Sequence, residues 1–126
     1  MRPGKWTIKD ILQHLIDCTR IFAFRALSFA RNESQPLPVF SEDDYAIEAN
    51  AGLRSFEDLI TELRAEYISL LYMYKSFTPE MLNRTGMSFK GKYSVASIAF
   101  IVAGHQRWHF RTIGERYMPL LHRSVS

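Results

Sequence analysis

Apolar residues recur along this chain at intervals of three and four, the period of a helix face. The first such run is Ile8, Ile11, Leu12, Leu15, Ile16, Phe22, Ala26 and Phe29. Thr7 precedes it as an N-cap, Asp10 follows three residues later as in a capping box, and Trp6 and Ile11 stand at the two positions of a hydrophobic staple. A helix is predicted to about residue 30. Residues 31–40, stiffened by Pro36 and Pro38, read as a loop. Ser41 caps a short helix whose first turn holds Glu42, Asp43 and Asp44, acids that complement the positive end of the helix dipole. Gly52 is expected to break that segment. A second long helix opens at Ser55 and carries Phe56, Leu59, Ile60, Leu63, Tyr67, Leu70, Leu71 and Tyr74 to near residue 77. Thr78-Pro79 predicts one further helical turn, and residues 86–92 read as a loop. Ser94 opens a third long helix with Val95, Ile98, Ile101, Val102, His105, Trp108, His109, Thr112 and Ile113 on one broad face, closed by Pro119 before a loose tail. No strand is predicted. Gly104 is read as a site where another helix comes close.

Three helices of more than twenty residues each, spanning about 30 Å or more, suit an antiparallel bundle. The fold class is all-α. The chain of 126 residues fits a single domain, residues 1–126. Hydrophobic residues at 47% and charged residues at 23% are a globular balance with material for a core. No apolar run is long enough for a membrane span, and the N-terminus lacks a signal-peptide core. The one cysteine, Cys18, excludes an intrachain disulfide and fits a reducing cytoplasm. The net charge is +3, with basic residues scattered among acids, which argues against a nucleic-acid partner.

The chemistry rests on histidines. His105 and His109 are four residues apart on the apolar face, where side chains stack. Two neighbouring buried imidazoles repel if charged and need partners if neutral. A metal ion answers both demands, because neutral imidazole is a common ligand. A hydrogen-bonded core pair is the alternative. His14 lies on the inward side of the first helix, where a lone histidine is ordinarily a core residue, and His122 belongs to the tail. His-x-x-x-His invites comparison with zinc proteases, but Gln106 stands where they carry the glutamate base, so that reading is rejected. Cys18 reads as a small buried apolar residue. Asp17, Arg20 and Arg25 read as surface ion-pairing residues, with orientation of ligands or substrate as the alternative.

The stretch Gly4-Lys5-Trp6-Thr7-Ile8-Lys9-Asp10-Ile11-Leu12-Gln13-His14-Leu15-Ile16-Asp17, with Arg20-Ile21-Phe22 and the later Ala103-Gly104-His105 and His109, resembles the DinB/YfiT-like family of four-helix-bundle metalloenzymes. The resemblance spans nearly the whole chain, to about residue 117. It implies a divalent metal held by His14, His105 and His109, zinc or nickel before manganese or iron. It also implies transfer of a low-molecular-weight thiol to an electrophile, or hydrolysis of a small molecule. A stress-associated bundle that binds metal or a small ligand without turnover is the alternative, and a core-histidine bundle serving only protein interaction is a third reading. Relatives often carry Glu at the position of Gln106 and His at that of Trp108. They also usually have a helix before the Gly-Lys-Trp segment, so this chain resembles a member without it. An apolar groove between the first and third long helices is therefore expected, covered in a homodimer.

Overall fold

The computed structural model describes residues 6–88 and 91–117. Helix α1 spans Ile8–Ala30 and begins as its capping box dictates. The Thr7 amide donates to Asp10 Oδ2 at 2.9 Å, and the Asp10 amide donates to Thr7 Oγ1 at 3.1 Å. Ser41 caps α2 (Glu42–Ala49), Ser55 caps α3 (Phe56–Lys75), Thr78 caps the short α4 (Pro79–Asn83), and Ser94 caps α5 (Val95–Thr112). Each cap side chain accepts an otherwise orphaned helix amide. A π-helical turn, Ile113–Tyr117, continues α5. Pro119, His122 and the predicted tail lie outside the described residues. No described helix is long and apolar enough to cross a membrane.

Two details depart from the sequence reading. The segment read as a loop forms an antiparallel hairpin, β1 (Thr85–Ser88) and β2 (Gly91–Ser94), with Thr85 opposite Ser94 and Ser88 opposite Gly91. Four-residue strands carry too little alternation to announce themselves. Helix α2 ends at Asn50, whose φ of 50° is left-handed. Asparagine tolerates that conformation as a helix C-cap, and Gly52 falls in the 3₁₀ turn Ala51–Leu53 that follows.

Helix α1 is the axis of the molecule. Its first half packs on α3 through Trp6, Ile11, Leu12, Leu15, Ile16, Leu59 and Leu63. Its second half packs on α5 and the end of α3 through Ala26, Phe29, Ala30, Phe77, Val95, Ile98 and Val102. Full burial of an Ile or Leu side chain is worth about 1.5–3 kcal/mol, so these two clusters dominate the stability. Ala26 and Phe29 meet the start of α5 while His14 meets its later turns, so the two helices run antiparallel. Where a groove between the first and third long helices is expected, α1 and α5 pack directly on each other, and a small cavity remains between them, lined by Phe22 and Arg25 of α1 and Ile98 and Ile101 of α5. Uncovered apolar side chains lie on α3 (Ile60, Ile68, Leu71, Tyr72) and on α5 (Phe100, Trp108, Phe110), and also at Phe24 of α1, Ile47 of α2 and Leu53 in the turn after it. Of the α3 stripe, only Leu59 and Leu63 are buried, because α1 is its main neighbour.

Candidate metal centre

His14 comes from the inner face of α1, and His105 and His109 from successive turns of α5. The antiparallel packing brings the three rings together. His14 Nε2 is 3.1 Å from His105 Nε2, and His109 Nε2 is 3.0 Å from the same atom. Ring centres are 4.9 Å apart for His14–His105, 4.9 Å for His14–His109 and 4.5 Å for His105–His109. His14 is 4% exposed and His109 is fully buried.

Hydrogen bonding alone does not account for this cluster. A ring nitrogen carries either one hydrogen or one lone pair. His105 Nε2 faces two other Nε2 atoms, so at most one contact is a well-formed hydrogen bond, whatever the tautomers. Three lone pairs turned toward one cation leave none of the three nitrogens in conflict. Two nitrogens bound to one ion at about 2.0–2.1 Å are about 2.9–3.4 Å apart for angles of about 90–110°. The observed spacings of 3.1 and 3.0 Å fall inside that range. The residues present therefore fit a divalent metal.

The surroundings keep the rings neutral. Burial lowers the pKa of His14 to about 3, with further lowering from His105 and His109. Burial and then His105 lower that of His109 to about 4. Burial also lowers that of His105, opposed by the Glu42 charge. Trp6 lies 4.9 Å from His14, Phe22 6.5 Å from His105 and Trp108 4.7 Å from His109, centre to centre. His109 Nδ1 is buried without a hydrogen-bond partner among the described residues. Packing against Trp108 and the other two imidazoles orients this ring, rather than the acceptor that usually holds a ligating histidine.

A second donor set shares two of these rings. One ligand atom each from His14, Cys18, Glu42 and His105 lie within 4.8 Å of one another. Cys18 Sγ is 3.5 Å from His14 Nδ1. Burial pushes its thiol pKa up, with the Glu42 and Asp17 charges adding to the effect. It is a protonated, buried thiol, as the sequence reading expected. Glu42 was not singled out as a site residue. As the first residue of α2 it carries the charge that a helix N-terminus favours. The Ser41 cap could have placed it on a helix, but nothing in the sequence placed that helix against His105.

The polar residues of α1 divide. Arg20 pairs on the surface with Glu62 and Glu66, each at 2.7 Å. Asp17 accepts from Gln13 at 3.0 Å. Arg25 departs from the surface role expected of it: it is 2% exposed, and its Nη2 donates to the Pro38 carbonyl at 3.2 Å. Gly104 also departs, since a Cβ added there would meet nothing within 4 Å. It marks open surface and no close helix contact.

The fold is an antiparallel helical bundle in which three neutral imidazoles converge beside a carboxylate. Residues 1–113 match the model of the DinB superfamily, and the chain belongs to that family. No curated protein matches the chain. Among solved structures it is similar to YfiT from Bacillus subtilis, with a TM-score of 0.65 and 16% identity. The match covers 90% of this chain and 70% of that one. That protein is described as a probable metal-dependent hydrolase with an unusual four-helix bundle topology. The likeness shows a shared fold.

Proposed function

We propose that the protein is a metal-dependent hydrolase acting on a small molecule, with His14, His105 and His109 as the metal ligands. The observation that carries this reading is the double contact at His105 Nε2, 3.1 and 3.0 Å from two other imidazole nitrogens in a buried, neutral cluster. A divalent ion bound there lowers the pKa of a water or thiol that it holds. Three imidazoles suit zinc or nickel, with manganese or iron as alternatives.

Glu42 supplies the carboxylate that Gln106 lacks. An amide does not accept a proton from water, whereas a carboxylate close to His14 and His105 does. Its position favours hydrolysis over the other chemistry that the family resemblance implies, transfer of a small thiol to an electrophile. Cys18 stays a protonated packing residue. The alternative is a stress-associated bundle that binds metal or a small ligand without turnover, in which Glu42 serves the α2 N-terminus or the metal alone. The lone buried thiol fits a reducing cytoplasm, and the uncovered apolar positions on α3 and α5 suit a homodimer.

Glu42→Gln tests the assignment. Turnover on a panel of small esters and amides is expected to fall about 10²–10⁴-fold, the usual contribution of a general base, with the metal-to-chain ratio kept. Unchanged turnover contradicts the role. Loss of the metal reassigns Glu42 as a ligand.

A further inference from the structure

Helix α2 lies beside the histidines and is held there by little. None of its eight residues is buried. No hydrogen bond or salt bridge joins its side chains to α1, α3 or α5 among the described residues. Its foothold on the first core cluster is Ala46, and Tyr45 lies against Phe40 of the preceding loop, 5.0 Å centre to centre. Hollows flank the helix on both sides. One, of about 460 Å³, lies between Asp44 and Glu48 of α2 and Gln13 and Asp17 of α1. The other, of about 550 Å³, lies between Asp43 and Ile47 of α2 and Trp6 and Asp10. A helix packed at interior density leaves no such space beneath it.

Both ends of α2 can bend. The chain enters it from the 31–40 loop, which has neither helix nor strand. It leaves at Asn50, which is left-handed at φ 50° and ψ 47°. Asparagine is one of the few residues that visits that region readily, and a change of φ and ψ at such an element end redirects the whole helix. The next residue, Ala51, is 1% exposed, so the anchored chain resumes at once. At the opposite end, Glu42 brings a carboxylate oxygen within 4.8 Å of ligand atoms of His14, Cys18 and His105. Behind it, Cys18 is 2% exposed and His14 4%.

We propose that α2 is a hinged cover on the metal centre. It turns as a unit about Asn50 and the 31–40 loop, and its opening is the way by which metal and substrate reach His14 and His105. Opening is easy because α2 gives up one alanine foothold and no hydrogen bond or salt bridge to the other long helices. Closing returns the Glu42 carboxylate to the histidines and displaces water from around them, which strengthens the electrostatic interactions there. The general base is therefore in place only when the site is shut. The use of the cover rests on the metal reading above, whereas its motion does not.

Cys18 is the one cysteine of the chain and lies behind the cover, so its reaction with methyl methanethiosulfonate reads opening without any metal. In the chelator-treated full chain, the rate is expected to stay flat in urea up to the global transition, because lifting one short helix exposes little surface. Ala46→Gly, which weakens both the helix and its foothold, is expected to speed the reaction about three- to tenfold. Val95→Ala, in the second core cluster, is expected to lower the global midpoint and to leave the low-urea rate within about twofold. Zinc-loaded Ala46→Gly is expected to lose its ion to a chelator about three- to tenfold faster than the zinc-loaded parent. A Cys18 rate that climbs with urea in step with global unfolding, or that ignores Ala46→Gly, overturns the moving cover. Zinc release that ignores Ala46→Gly overturns α2 as the way in. The expected Cys18 kinetics in a folded chain that takes up no zinc uphold the motion and defeat the metal reading alone.

Discussion

Two glycines have opposite surroundings, and their substitution should have opposite signs. Gly104 sits exposed on α5 with open space where a side chain would be. Gly104→Ala is expected to stabilise the fold by about 0.5–1 kcal/mol through helix propensity. A Cβ at Gly86 would lie 2.2 Å from two ring atoms of Phe29, which is 1% exposed. Gly86→Ala must displace a core ring, and overpacking of that kind costs about 1–3 kcal/mol. Thermal denaturation of both variants checks the pair. The same scale shows what residue type alone reveals. His105 and His109 were legible because four-residue spacing on an apolar face dictates their proximity. Glu42 and Arg25 were not. A charged residue reads as solvated unless tertiary packing buries it, and neither the seating of α2 nor the covering of Arg25 by the 31–40 loop has a local signature.

Caps made the elements legible. Thr7, Ser41, Ser55, Thr78 and Ser94 each begin the helix that their side chains predicted, because an unsatisfied first-turn amide is costly wherever it occurs. The hairpin escaped notice because its stability comes from packing on α1, with Gly86 against Phe29, and not from its own sequence. Between elements, Glu62 ties α1 to α3. It accepts from Arg20 at 2.7 Å and from Arg54 at 2.6 Å. The Arg20 hydrogen bond, aided by Arg54 and opposed by partial burial, holds the Glu62 carboxyl below its ordinary value of 4.5. The charged form is therefore favoured in the folded state. Its stabilisation is present above about pH 4.5 and is lost as the pH falls through the lowered value. Glu62→Gln is expected to lower stability at pH 7 and to flatten the loss of stability below pH 4.5, as read by chemical denaturation across that range. An equally steep acid loss in the variant would assign the sensitivity elsewhere.

At the scale of the whole molecule, α1 is shared by both core clusters and by the histidine cluster, so one helix sets the fold and the candidate centre together. The bundle class was readable from three long amphipathic stretches. Which faces remain uncovered was not, because an apolar stripe does not name its neighbour. The exposed Ile68, Leu71 and Tyr72 of α3 and Phe100 of α5 lead us to expect a dimer in sedimentation. A monomer at micromolar concentration would mean that these side chains face water or another partner. The central claim is that three imidazoles from α1 and α5 hold one cation, and metal content measures it most directly. Elemental analysis of untagged protein, after dialysis against zinc or nickel and removal of free metal, is predicted to give about one ion per chain. His14→Ala, His105→Ala and His109→Ala should each lose it while remaining helical, and Cys18→Ser should keep it. Folded wild-type protein that takes up no ion, or a His109→Ala variant that retains a full equivalent, would contradict the account.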